Sequence, residues 1–521
     1  MNTQGLAKVS AEVIDISVLI ATGLKGIHAF FGETEKGREG KTVLVGSWTE
    51  YKKHFGGLLA TSDFPLLCKR ALDSGCKLRV GRVHSYGDVS DPSTVTGSKS
   101  TGTLTSGTVL NASSIGELYY TVALKHAANG QDDKVDAVIY QTDVTNTVRN
   151  EVGKVANLNN TLTAEDVVKF NASQVDVVID DSQIGEVLID SYSTVDNEEV
   201  FIEGGTAMDA PVETDYTGDS SVGTGIHIFD NESDFVRISI PAMANNTIDV
   251  MLEAYVIKRQ DCRAILRTPI GISGATAVDY RECSGVYTGQ PVNSWLASMV
   301  YGELIVTHPT TGAKVGIPAI GDVAGCMSNK DNKQREWFAS AGAKRGKIKN
   351  ALGIEYNLGT AARALEADNV DSHGINPVID DKDYGLVYWG NGTLQKEDTL
   401  LKHENVADLM IFILRAVTPL AKSELFDPND VETWKAIHRK VRPLLETIKK
   451  GRGIWGYLYQ GDQDIETIEE AVVNNPNDVD AGGYVFILWV KPKVGMKYVG
   501  IKVTVTNSGV SFEEVAGQPT V

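Results

Sequence analysis

The chain has 521 residues, 42% of them hydrophobic and 22% charged, which is enough for several packed domains. Its formal charge of −19 argues against a general nucleic-acid binder, since phosphate contact needs basic surface. No window approaches 18 consecutive apolar residues, so no membrane-spanning helix is expected. Met1-Asn2-Thr3-Gln4-Gly5 does not lead from a basic start into an apolar run, so no secretory signal is expected either.

In chain order, Val9, Ala11 and Val13 alternate with Ser10 and Glu12, and Ile14, Ile16 and Val18 with Asp15 and Ser17, the period of an extended strand. We read 1–22 as an N-terminal arm. Leu24–Phe31 and Thr42–Val45 are predicted strands. Ser47-Trp48-Thr49-Glu50 is a capping box opening a helix to about Phe55. A second helix near Pro65–Ser74 stops at Gly75, where a left-handed turn costs least, and the strand Cys76–Val83 follows.

Between Asp88 and Val250 there are 27 acidic against 7 basic residues, so nearly all of the net charge sits there. The stretch is rich in Thr, Ser, Asn and Gly. Short alternating runs such as Val175–Ile179, Val187–Ile189 and Phe235–Ile240 read as strands between turns. We take 88–250 as an acidic, β-rich outer insertion. Glu117–Ala128 is a helix-like exception inside it. Beyond it Asn246–Gln260 is a predicted helix and Cys262–Leu266 a strand, so 23–87 and 251–372 form one α/β domain split by the insertion.

A C-terminal α/β unit covers 373–498. Tyr384–Trp389 is a predicted strand. Asn405 caps a long helix with Val406, Met410, Ile413 and Val417 on its apolar face. A second helix after Asp430 carries Trp434, Ile437, Val441, Leu444, Leu445 and Ile448 on one face, with Pro443 kinking it. Gly483–Lys491 and Tyr498–Thr506 are strands, and 499–521 is a C-terminal arm in which Val499, Ile501, Val503 and Val505 alternate with polar residues and Gly500. The fold class is thus mixed α/β and α+β, multidomain, with extended terminal strands.

No catalytic constellation emerges. Gly37-Arg38-Glu39-Gly40-Lys41-Thr42 resembles the end of a phosphate loop, but Glu35 stands where the first Gly belongs and a strand follows instead of a helix. Asp478-Val479-Asp480-Ala481-Gly482 lacks the spaced acids and terminal Glu of a calcium loop. Cys68, Cys76, Cys262, Cys283 and Cys326 contain no CxxC pair and no histidine at metal spacing, so no zinc site or other cofactor is expected. The same thiols are candidates for cross-links between chains once exposed to oxidant. His308, His373, His403 and His438 have no partner pattern for base catalysis, and no Gly-x-Ser-x-Gly elbow occurs.

Several ordered pieces carry a resemblance instead. They are Phe30–Gly37, Val43–Tyr51 with Phe55-Gly56-Gly57, Gly75–Val83, and Asp261–Leu266 with Pro269. Further along come Ile317-Pro318-Ala319, Val323-Ala324-Gly325, Glu336–Gly342, Gly374–Val378, Tyr388–Leu394, Asn405-Val406, and Phe426–Asp430 with Trp434. In this order they resemble the contractile-phage tail sheath family, over roughly 1–87 and 251–521. The chain departs from the family at Gly392, where an Arg is usual, and at Ala407-Asp408, where Arg-Arg is usual. It also departs at Tyr301–Leu304 and in lacking Pro-Gly-Val-Tyr near the N-terminus.

The resemblance implies a structural subunit, not an enzyme. Such subunits stack as hexameric rings around a tail tube in a metastable extended state, then contract to drive the tube through the host envelope for genome ejection. Implied partners are other copies of the chain, the tube, baseplate and tail terminator proteins. The implied location is the virion tail of a particle made in the host cytoplasm, with no nucleic acid bound and no membrane insertion. Strand exchange between subunits would use Val9, Val13, Ile16, Val18, Val499, Ile501, Val503 and Val505, unless these are ordinary edge strands of their own domains. Lys435, Arg439 and Arg442 share one helix face, and Lys449, Lys450 and Arg452 extend it. This is either a tube-facing basic patch in the 373–498 unit or a solvated helix surface. A secreted or surface β-rich adhesin, or a tail-associated hydrolase, is the alternative. The first would carry a signal peptide and repeats, the second a carboxylate pair or metal cluster.

Overall fold

A computed structural model describes residues 26–126, 134–173, 176–189, 197–466 and 470–496. The expected arms, the strand Tyr498–Thr506 and all eight strand-exchange residues lie outside this set.

The centre is an eight-stranded sheet. From one edge to the other it runs Gly385–Tyr388, Ile375–Asp381, Ala297–Tyr301, Arg263–Arg267, Arg237–Ser239, Ile27–Gly32, Lys77–Arg82 and Thr42–Val45. The inner six are parallel and each edge strand is antiparallel. Parallel strands covered on both faces need continuous apolar runs, and Ile27–Gly32 and Ala297–Tyr301 are buried throughout. The chain lays strands outward from Ile27–Gly32 first on one side and then on the other, so helices cover both faces. Asn246–Arg259, Gly274–Glu282 and Ala364–Ser372 pack on the face of Ala29, Ile238 and Leu266. Phe64–Asp73 and Ile320–Lys333 pack on the face of Phe30, Ile265 and Val300.

Local signals match this frame. Ser47 Oγ accepts from Glu50 N at 3.2 Å, and the Glu50 carboxylate answers on Gly46 N at 2.8 Å, holding Trp48–Phe55. Gly75 takes φ 87° just after Phe64–Asp73.

Two sequence readings change inside 88–250. The run Phe235–Ile240, read as part of the insertion, supplies Arg237–Ser239 to the central sheet, between Ile27–Gly32 and Arg263–Arg267. Tyr216, Ile226 and Phe229 join the same apolar core, so the chain has returned to the core well before Val250. The acidic residues of 213–234 disguise that return. Within the stretch read as helix-like from Glu117, Tyr120–His126 is instead a strand between Asn197–Ile202 and Lys134–Thr142. Tyr120, Val122 and Leu124 face one core at period two, and two flanking strands outweigh local helix propensity. With Arg149–Asn159 these strands form a four-stranded sheet. It shares its own core with a three-stranded sheet (Lys99–Thr103, Val109–Ile115, Val177–Ile179) and the helix Ala164–Ser173.

Near the C-terminus, the helices Glu404–Lys422 and Val431–Lys450 pack with a hairpin of Ile454–Gln460 and Ile487–Pro492. All six residues of the Trp434–Ile448 stripe are buried, and the helix runs unbroken through Pro443 to Lys450. Asn405 is not the cap of its helix: His403 takes that position. Asn405 lies in the first turn, where its side chain receives Asn391 Nδ2 at 2.8 Å and donates to the Lys493 carbonyl at 3.0 Å.

Candidate functional site

Three neighbouring strands of the central sheet each place a polar side chain in one row, because the register sets His28 beside Arg237 and Arg237 beside Arg263. Each is almost wholly buried among apolar neighbours of the central sheet. Burial of a guanidinium is costly unless charge and hydrogen bonds compensate it. Two helices supply the compensation. Ile320–Lys333 brings Lys330 and Asp331, and the first turns of Glu404–Lys422 bring Glu404 and Asp408.

Asp408 is the centre of the resulting hub. Its Oδ2 accepts from Arg237 at 2.6 Å and from Lys330 at 2.8 Å, and its Oδ1 accepts from Arg263 Nε at 2.8 Å. Asp331 takes Arg237 at 2.6 Å and Lys330 at 2.7 Å. Glu404 takes Arg263 at 3.0 Å and the Tyr388 hydroxyl at 3.2 Å. Ser298 Oγ accepts the remaining Arg263 fork at 2.8 Å. Three cations thus meet three carboxylates, and the buried sum is neutral.

Burial pushes Asp408 up, but Arg237, Arg263 and Lys330 together outweigh it and hold the carboxyl well below the usual range. Glu404 is raised by burial, with Arg263 pulling against it. His28 is held neutral by burial and then by Arg237, and neither ring nitrogen has a hydrogen-bond partner among the described residues. The arrangement is a structural joint: it ties the C-terminal helices to the sheet, and each of its carboxylates is engaged by the chain's own cations.

Sequence reading missed these residues, although a signal existed. Arg237 and Arg263 interrupt apolar strand runs, and Asp408 sits one residue before Leu409 on a helix that is buried along this stretch. A lone charge inside a strand does not reveal a partner some 150 positions away.

The residues singled out from sequence lie elsewhere. Lys435 is half-buried and pairs with Glu432 at 3.1 Å; Arg439, Arg442, Lys449, Lys450 and Arg452 are exposed on the surface opposite the Trp434 stripe. Lys440, on the same helix, instead binds Glu424. All five cysteines are free. Cys68, Cys76, Cys262 and Cys326 are buried, and only Cys283 reaches partly to the surface. Burial pushes the Cys76 and Cys326 thiols up to about 12, which makes them poor nucleophiles. In the phosphate-loop-like stretch the Gly37 amide is used on Ser114 Oγ at 3.0 Å, and the strand Thr42–Val45 follows Lys41 directly. Pro476–Asp480 is a short helical turn. Among the described residues no cluster could hold a metal, and no helix is long and apolar enough to cross a membrane.

No family model matches the chain. The tail sheath protein of Enterobacteria phage T4 is 25% identical over 272 residues, 50% of this chain and 39% of that one. The tail sheath protein of Vibrio phage KVP40 is 27% identical over 202 residues, 39% of this chain and 28% of that one. The chain is a relative of the phage tail sheath proteins. Its match spans well under half the length of these two relatives. The fold agrees across nearly the whole chain. The sheath tail protein from Listeria innocua aligns with a TM-score of 0.56 at 14% identity, over 92% of this chain and 98% of that one. The contracted helical sheath of the anti-feeding prophage aligns at 0.53 with 12% identity, over 92% of each. Against that sheath background the hub gives a role to one departure noted from sequence: Asp408, in the Ala407-Asp408 step, is its central carboxylate.

Proposed function

We propose that the chain is a structural subunit of a contractile tail sheath. It polymerises as stacked hexameric rings around a tail tube, is held extended as a kinetic trap, and contracts to drive the tube through the host envelope for genome ejection. Its partners are further copies of itself, the tube, and the baseplate and terminator proteins at the two ends of the tail. The observation that carries this reading is the kinship with tail sheath proteins joined to a sheath-like fold over nearly the full chain.

Two surfaces support it. The hairpin of Ile454–Gln460 and Ile487–Pro492 is two-stranded among the described residues, so its outer edges offer unpaired backbone groups. Beside Ile487–Pro492 runs an apolar groove of about 480 Å³, lined by Ile413, Leu414, Val417, Ala421, Phe486 and Leu488. A strand with apolar residues on one side, such as Val9/Ala11/Val13 or Ile14/Ile16/Val18 of a neighbouring copy, would pair with that edge and fill that groove. The second surface is the exposed basic face from Lys435 to Arg452, which we assign to the tube-proximal side. The acidic β-rich unit within 88–250 is assigned to the outside, where like charge keeps particles apart.

Removing residues 1–20 tests the strand exchange. The truncated protein should stay folded and monomeric by sedimentation and form no long tubes. Long tubes assembled from the truncated chain would refute the exchange while leaving the fold assignment untouched.

A further inference from the structure

The segment 334–350 crosses from the helix Ile320–Lys333 towards the central sheet and carries five cations, Arg335, Lys344, Arg345, Lys347 and Lys349, against one carboxylate, Glu336. Glu336 is buried, so the outward charge of the segment is wholly positive. Trp337 fastens the segment to the end of Val431–Lys450: its indole donates to the Gly451 carbonyl at 2.9 Å, and its ring lies in the core of the C-terminal helices. That contact brings Arg452 to Phe338, with the guanidinium 6.0 Å from the ring centre. Arg345 lies 5.4 Å from the same ring, and Arg335 lies 5.8 Å from Trp337.

Arg345 is fixed in place, donating through Nε to the Ala339 carbonyl at 2.6 Å and through Nη1 to Gln334 at 3.0 Å. These partners are neutral. Among the described residues none of the three guanidiniums has a carboxylate partner, in a chain whose net charge is −19. Several other arginines are matched to acids, as Arg70 is to Asp322, Arg79 to Asp234 and Arg149 to Glu199, while Arg82, Arg267 and Arg415 spend their N–H groups on backbone carbonyls. Arg345 and Arg452 repel each other, and burial and that repulsion both disfavour the charged form of Arg345. The rings offer each guanidinium a weak cation–π contact, but the like charges oppose one another with no carboxylate between them.

We propose that Arg335, Arg345 and Arg452, set around Trp337 and Phe338, form a clamp for the carboxylates of an acidic partner-protein surface. Planar guanidinium forks set beside aromatic rings suit two-point contact with carboxylates, which flexible lysines do not. A nucleic-acid strand suits the site less well, because its charge continues beyond the clamp and meets the acidic remainder of the chain. The clamp shares Arg452 with the basic face assigned above and deepens that reading by supplying, from the central part of the chain, the residues that complete it.

The test uses the full-length, unassembled protein, so failure to form tubes would not affect it. Anisotropy of a labelled polyglutamate peptide is measured at low and moderate salt, with labelled oligothymidylate as the second probe. The clamp predicts salt-sensitive polyglutamate binding that weakens about tenfold or more in R335Q/R345Q/R452Q, since all three cationic contacts are removed. Lys52→Gln with Lys53→Gln, on the exposed face of Trp48–Phe55, should leave it unchanged. R335Q/R452Q, which keeps Arg345 and its internal hydrogen bonds, should show an intermediate loss with an unaltered melting temperature. Polyglutamate binding equal in wild type and triple variant, an equal loss in the Lys52/Lys53 control, or tighter binding of oligothymidylate than of polyglutamate would each overturn the proposal.

Discussion

Among the described residues, two joints tie the central domain to other parts of the chain through buried charge, and they are built differently. At the acidic β-rich unit a single buried pair, Lys36–Asp176, does the work, with the Tyr120 hydroxyl also on Asp176 at 3.2 Å. Backbone contacts complete that joint, among them Arg82 on the Ile115 carbonyl at 3.0 Å. Each side of it keeps its own apolar core. At the C-terminal helices six charges interlock, and every carboxylate serves at least one cation that another element owns. A one-to-one joint can fail without emptying either core. The hub cannot lose Asp408 without taking one acceptor from Arg237, Arg263 and Lys330 at once, which leaves three buried cations against Asp331 and Glu404. In the sheath subunit proposed above, the second design would tie the helix-and-hairpin unit to the sheet as one body.

The largest effect should therefore come from Asp408→Ala. Three buried cations would lose their shared acceptor, and removing one partner from a buried network costs about 3–5 kcal/mol. Urea unfolding should show the midpoint fall by that amount, with the C-terminal helices losing protection first. A loss under about 1 kcal/mol would mean that the hub is not what fastens them.

A smaller and more local effect is expected at the other joint. Asp176→Asn leaves Lys36 buried beside a neutral amide, at a cost of about 2 kcal/mol. Limited proteolysis should then cut within 88–211 while the central sheet stays intact. Cutting in the sheet at the same rate would erase the distinction between the two joints. Excising all of 88–250 is a harsher change, because it also removes Arg237–Ser239 and with it a hub cation.

The smallest effect concerns a buried acid outside both joints. Asp249 receives the Tyr280 hydroxyl at 2.7 Å, and burial pushes its carboxyl up to about 7, with that hydrogen bond and Arg267 pulling the other way. A carboxyl raised in the fold contributes stability below its unfolded value of about 4, and that contribution is lost as pH rises towards 7. Asp249→Asn should remove this dependence, so its melting temperature should gain on the wild type between about pH 4 and about pH 7, the window set by those two values. Parallel curves across that range would show that Asp249 does not titrate there.

The fold was legible in sequence wherever one element decides its own form. The Ser47 box, the stop at Gly75 and the Trp434–Ile448 stripe depend on residues within a few turns of one another, and they stand in the structure as read. Reading failed where distant partners decide. Tyr120–His126 became a strand because two strands flank it, and Arg237–Ser239 returned to the core under cover of acidic neighbours. Asn405 gave up capping for a pairing with Asn391. Arg237 was visible as an odd charge in an apolar run, but nothing local pointed to Asp331 or Asp408.

The central claim, that this chain builds a sheath, is tested most directly by electron microscopy of the purified full-length protein. The account predicts long, hollow, transversely striated tubes, whereas a field of monomers under every assembly condition, with no tubes even in the presence of a tail tube, would contradict it.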